Sequence, residues 1–389
     1  MATTAITAPR ARTAPEPILT APMLSIAGVM LSAMSSFYLL LSAIPAHASA
    51  VGGTSGAGAA TGALMAATIV GEIAAPQVIN RAGRRSALAL ALGLLGLGCL
   101  TAFPASLALL LLNCAVRGLA LGVLLVAASG LSAQIAPPSR RAEAMSISGV
   151  ASAVPAIVAV PLGPWVLTNL GAPGTAVCAA TLAFAALAAT ALLPSERKIE
   201  THEAHRLPPL GVAIGPAISL GCGAVLVGAT VTFLPLAHPE ATSGTIMLGL
   251  LLQGLGATVT RWLSARHVDR HGTRLPMLAG LAACVVAAIG LAATGEAEVL
   301  CGVLLSGIAF GVLQTATLAE LLARAAPSQV DGAGALWNGA YDAGLGIGGI
   351  AFGGLATAVG FSTAFVATAG VFTLVALLHL ATTKGNHAC

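Results

Sequence analysis

Twelve apolar stretches follow one another along the chain, each long enough to cross a bilayer as a helix, and charge is almost confined to the gaps between them. They fall approximately at 22–44, 57–79, 86–103, 105–135, 143–168, 174–193, 210–236, 243–264, 275–293, 298–323, 332–358 and 361–381. About 20 apolar residues are needed to cover a ~30 Å hydrocarbon layer. Helices are required there, because in lipid each backbone amide must be satisfied within its own segment. A single water-soluble core is excluded: 57% of the 389 residues are hydrophobic and 8% charged, against about a quarter charged in soluble domains. The expectation is an all-α membrane protein that uses the lipid bilayer as its solvent.

Orientation follows from the cations, which accumulate on the cytoplasmic side of spanning segments. Fifteen of the 17 lysines and arginines lie in the two tails or in even-numbered connections, at Arg10, Arg12, Arg81, Arg84, Arg85, Arg140, Arg141, Arg197, Lys198, Arg206, Arg266, Arg270, Arg274, Arg324 and Lys384. Only Arg117 and Arg261 fall inside spans. The partition implies an even number of helices with both termini cytoplasmic. Residues 1–15 read as a flexible polar tail without the apolar core or cleavage site of a secretory signal. The seven cysteines have no zinc spacing and read as small hydrophobes.

The chain repeats itself. A shift of 189 positions lays Arg81-x-Gly83-x-Arg85 on Arg270-x-Gly272-x-Arg274, RGLALGVL from Arg117 on SGIAFGVL from Ser306, and Pro138-Ser139 on Pro327-Ser328. Three stretches with one offset indicate a duplicated six-helix unit. The expected organisation is two pseudo-symmetric six-helix bundles, 16–193 and 210–382, joined by a charged cytoplasmic loop at 194–209 and ending in a tail at 383–389. Such duplication is typical of secondary transporters, whose repeats rock about a site near the bilayer midplane.

At these residues the sequence resembles the major facilitator superfamily. The family's loop signature, Gly-x-x-x-Asp-Arg-x-Gly-Arg-Arg, stands here as PQVINRAGRR, with Pro76 for the glycine and Asn80 for the aspartate. The second copy, ARHVDRHGTR, keeps Asp269 but has Ala265 in place of glycine. LLLLNCAVRGLALG resembles the helix 4 arginine motif, with Arg117 as the arginine, and AVPLGPWV keeps the Gly163-Pro164 core of the exporters' helix 5 motif. The resemblance implies alternating access with helices 3, 6, 9 and 12 outermost, and those spans hold no acidic or basic residue except His379 near the cytoplasmic end of helix 12.

The loop frame has a physical reading of its own. Glycine permits a tight turn between helices, and the arginines beside it can pair with carboxylates or with carbonyls at helix C-termini. Asn80, Arg81, Gly83, Arg84, Arg85, Asp269, Arg270, Gly272 and Arg274 are therefore expected at a cytoplasmic gate, with Arg261 beside them, unless the arginines serve topology alone.

Charges inside spans cost at least ~2.5 kcal/mol near the bilayer centre and usually face a cavity or a partner. Arg117 and Asp342 fall near the midplane, about 15 Å from their helix starts. Glu72 and Arg261 lie nearer the cytoplasmic end as mates under the 189 shift. Glu320 and Arg324, at i and i+4, read as a local pair. Asp342 is expected to carry protons, with Glu72 as the alternative. Around Asp342 the chain reads ALWNGAYDAG, so Trp337, Asn338, Tyr341 and Asp342 are candidate cavity residues, with Arg117 and, from helix 1, Phe37 and Tyr38. The alternative role of Trp337 and Tyr341 is packing at the membrane interface, and that of Asp342 is a helix-packing group hydrogen-bonded to the neighbouring half.

Two patterns are set aside. Gly344-x-Gly346-x-x-Gly349 matches a dinucleotide fingerprint but lies inside an apolar span, where glycines serve close helix packing. HEAH at His202 to His205 is one residue too short for a zinc-protease helix. No enzyme activity, cofactor, metal or nucleic acid is expected. The expected function is proton-coupled efflux of a small amphiphilic compound, by a monomer in a bacterial cytoplasmic membrane. The alternatives are nutrient import on the same scaffold and a receptor or scaffold that does not transport.

Overall fold

A computed structural model of the protein describes residues 18, 20–137, 140–194 and 207–385. The expected tail 1–15, most of the loop 194–209 with its HEAH run, Pro138-Ser139 and residues 386–389 lie outside the described residues. The elements are α1 (Ala21–Ala82), α2 (Arg84–Leu100), α3 (Leu107–Ile135), α4 (Arg141–Ala189), α5 (Leu210–Ala237), α6 (Ser243–His271), α7 (Arg274–Leu291), α8 (Glu296–Arg324), α9 (Val330–Val359) and α10 (Phe361–Gly385). Among the described residues, nine helices are long and apolar enough to cross a membrane; α2 has 17 residues. Leu97, Leu109, Leu112, Leu377 and Leu378 are all more than half exposed, the outward apolar surface of a protein whose surroundings are lipid rather than water.

Two helices are far longer than one crossing needs, and each is broken by glycine. α1 has 62 residues, with non-helical backbone at Gly52 and Gly53; α4 has 49, broken at Gly171. The connection expected over 45–56 is thereby corrected. Apart from those two glycines, the segment stays helical despite Pro45, because helix is the conformation that satisfies backbone groups near lipid without help from water. The start of α1 is fixed by Thr20, whose hydroxyl accepts from the Met23 amide at 3.4 Å, and by Pro22 in the first turn.

The 189-residue offset is present in the backbone. Gly83 has φ 83 and ψ 159, and Gly272 has φ 82 and ψ −178. Gly171 has φ 68 and ψ −179, and Gly360, its mate, φ 80 and ψ 162. These left-handed turns are open to glycine at little cost and strained for other residues, so each marks a place where one helix must stop and the next start at once.

Packing repeats with the same spacing. A methyl group on Gly118 would stand 2.2 Å from the Leu64 carbonyl, and one on Gly307 2.1 Å from the Gln253 carbonyl. One turn on, Gly122 would meet the Thr68 carbonyl and Gly311 the Ala257 carbonyl, each at 2.2 Å. In all four contacts both partners shift by 189. Small residues four apart let helix backbones touch where lipid supplies no hydrophobic drive for association, which explains why α3 lies flush on the second arm of α1 and α8 on α6. Most packing stays within α1–α4 or within α5–α10; between these two groups α1 meets α9 and α5, and α4 meets α6.

Candidate functional site

The contacts between the two groups cluster away from the arginine-bearing turns. Gly58 approaches Gly349, where a Cβ would come within 2.3 Å of the carbonyl oxygen, and a Cβ on Gly353 would stand 3.3 Å from the Gly58 Cα. Thr61 and Thr232 hydroxyls lie 3.0 Å apart in a buried hydrogen bond, and Gly254 faces the Ile157 backbone at 3.2 Å from an added Cβ. At the arginine-bearing end, three contacts each join elements of one group. Arg84 lies over Gly130 of α3, and the Arg85 Nη2 donates to the Ala191 carbonyl at 3.1 Å, just beyond α4. Glu320 pairs with Arg324, as its i, i+4 spacing implied, and accepts from the Thr273 hydroxyl. The groups are therefore clasped at one face, while at the other the arginines hold their own group together.

Between these ends lies a polar cluster drawn from both groups. Asp342, buried to 7% exposure in α9, lies within electrostatic reach of Glu72 in α1 and of Tyr38. Tyr341 lies within reach of Tyr38, Asp342 and Arg261. Among the described residues no ion pair joins Glu72 or Asp342 to a cation. Phe37 is buried and its ring stands 5.1 Å from that of Tyr38, edge-on. Tyr341 stacks on Phe310 at 5.5 Å, and the half-buried Trp337 donates its indole N–H to Thr317 at 3.0 Å. Asn338 is exposed. Of the residues proposed from sequence, Tyr38, Glu72, Arg261, Tyr341 and Asp342 come together, with Phe37 and Trp337 packed at their backs.

Arg117 stands elsewhere. Its side chain is fully buried against α2, where a Cβ on Gly98 would be 2.5 Å from its Cγ, and none of its guanidinium nitrogens has a hydrogen-bond partner. The remaining gate candidates, Asn80, Arg81, Asp269, Arg270 and Arg274, are exposed, and Gly83 and Gly272 supply the turns. The Gly344, Gly346 and Gly349 series packs helices, as expected: Gly344 meets α5 at Gly221, while Gly346 and Gly349 meet α1 at Met65 and Thr61. Thus α9 packs one face on α5 of its own group and another on α1 of the other group.

Sequence reasoning missed the clasp. Thr61 and Thr232 are lone hydroxyls in apolar runs, and nothing in their spacing shows that they pair across 171 positions. Phe310 was equally silent, as one aromatic among apolar neighbours.

The sequence profile described as Major Facilitator Superfamily matches residues 26–319. No curated protein matches the sequence itself. Among solved structures, the fold is similar to the nucleoside transporter NupG, at 13% identity and a TM-score of 0.73 over 93% of this chain and 99% of that one. It is similar to the human organic anion transporter MFSD10 (TETRAN), at 17% identity and 0.66 over 94% and 100%. It is also similar to a bacterial homologue of the human lysosomal transporter Spinster in an inward-facing, occupied conformation, at 13% and 0.76 over 95% and 98%. With well over half its length matched and the all-helical, multi-pass architecture in hand, the chain belongs to the Major Facilitator Superfamily of transporters.

Proposed function

We propose that the chain is a secondary active transporter in which Glu72 and Asp342 carry protons. Twelve spans form two six-helix bundles, 16–193 and 210–382, with both termini and the arginine-bearing turns on the cytoplasmic side of a bacterial membrane. The observation that carries the reading is that two carboxylates, one from each group and neither in an ion pair among the described residues, lie within electrostatic reach of one another. Two like charges in a low dielectric repel unless a cation or proton sits with them, so the state that brings them together favours proton uptake and the state that separates them favours release. The cargo is a small organic or amphiphilic compound held among Phe37, Tyr38, Trp337, Asn338 and Tyr341. Export is favoured by Gly163 of the helix 5 motif: a Cβ there would meet Ser42 Oγ at 2.1 Å, and Ser42 donates to the Val160 carbonyl at 2.7 Å. That contact locks α4 onto the first arm of α1.

The test is transport in proteoliposomes under an imposed pH gradient, screened over a compound library. Asp342→Asn retains shape but cannot titrate, so downhill exchange should persist while accumulation driven by the gradient falls to background; Glu72→Gln should reduce accumulation as well. If Asp342→Asn still concentrates substrate with the wild-type pH dependence, the coupling role passes to Glu72. If both variants do so, proton coupling through this pair is wrong.

A further inference from the structure

On the face away from the arginines, α5, α6, α7, α8 and α10 enclose a cavity of about 360 Å³ that lies apart from the polar cluster. We propose that this cavity is a second binding site, for a small organic cation with an apolar body, and that its occupant steadies the clasped face. Its wall is apolar along Leu234, Leu291, Val299 and Phe361, and its polar groups are His238, Glu240, Thr245, Glu296 and Ser362. An apolar lining with a few convergent polar groups, at a volume in the range of small-molecule pockets, is what a ligand site requires.

Charge selects the occupant. The lining contains two carboxylates and neither lysine nor arginine. Glu296 is held in place by the Thr245 hydroxyl, which donates to its Oε1 at 2.9 Å. His238 also lines the cavity, and its buried Nε2 has no hydrogen-bond partner in the protein. Burial lowers the His238 pKa below its ordinary value, against the opposing pull of the Leu291 carbonyl, so at neutral pH the ring adds no positive charge to repel a cation.

The cavity touches the clasp. Leu234 adjoins Phe233 in the chain, and the Phe361 ring lies 5.9 Å from that of Phe233, which in turn covers Gly58 and Gly353. A guest that fills the space behind Phe361 and Leu234 holds Phe233 against the N-terminal group. Acidification should expel it, since the titratable groups on the wall are His238 and Glu240 of the α5–α6 connection and Glu296 of α8. Protonating His238 adds a positive charge that repels a cation.

The experiment is calorimetric titration of cyclohexylamine into the full-length protein in detergent at pH 7.5, with cyclohexanol as the uncharged control. Saturable binding is expected, with cyclohexanol and the Glu240→Gln/Glu296→Gln variant each weaker by about tenfold, and with Glu72→Gln/Asp342→Asn unchanged. The absence of saturable heat, equal affinity for cyclohexanol, indifference to Glu240→Gln/Glu296→Gln, or loss on Glu72→Gln/Asp342→Asn would each overturn the site. Thermal unfolding of every variant separates lost binding from lost folding. For the clasp, maleimide labelling of Thr232→Cys, in a background with the native cysteines replaced by serine, should slow when cyclohexylamine is added; an unchanged rate overturns that clause. The binding arm does not depend on the transport reading, so the two can fail separately.

Discussion

Arg117 is the residue hardest to reconcile with stability. A guanidinium keeps its charge in any protein, and here it sits in the middle of α3 with no hydrogen-bond partner. Arg117→Met should therefore stabilise the solubilised protein by about 2.5 kcal/mol, the insertion cost of a mid-span arginine, while slowing transport; thermal unfolding and flux measured together check both. Arg117→Lys keeps the charge without the planar fork and should also slow transport. If Arg117→Met is both more stable and fully active, the arginine has no part in function. Its depth was legible in the sequence but its direction was not. Successive helical side chains point about 100° apart, and only the contacts of Gly118 and Gly122 with α1 turn Arg117 towards α2. The aromatic and acidic residues of ALWNGAYDAG were easier, because several polar groups in one apolar helix have to share a cavity or one another.

Between helices, glycine decides how close two axes can come. Gly118 and Gly307 hold neighbouring backbones at distances that admit no methyl group, so Gly118→Ala and Gly307→Ala should each cost about 1–3 kcal/mol through overpacking. Gly93→Ala in α2, where nothing lies within 4 Å of an added Cβ, should be neutral or slightly stabilising through better helix propensity. Thermal unfolding of the three variants in one detergent checks the contrast. The all-helical, multi-pass character could be read from apolar run length, which the bilayer imposes directly. The connection at 45–56 misled because proline and glycine signal breaks in water, whereas near lipid the helix continues until Gly52 and Gly53.

For the molecule as a whole, the clasp through Gly58, Thr61, Thr232 and Gly349 has to open if cargo is to cross. Thr61→Cys/Thr232→Cys, in a background with the native cysteines replaced by serine, should form a disulfide on oxidation, given hydroxyls 3.0 Å apart. Transport should then stop and return on reduction; unimpaired flux with the bond formed would show that this face need not open. At the other end, Arg85→Ala and Arg274→Ala should slow transport with near-normal expression, and unchanged rates would leave those arginines as markers of topology. Duplication was legible because turns and close contacts tolerate few residue types, so Gly83 and Gly272 persisted where their neighbours drifted. The two groups match in these turns and close contacts. The exceptions are electrical: 189 positions from Glu72 stands Arg261, from Arg117 stands Ser306, and from Asp342 stands Ala153. The two groups thus match in turns and close contacts but not in charge, so any difference in how they respond to voltage or acidity has to rest on these few side chains.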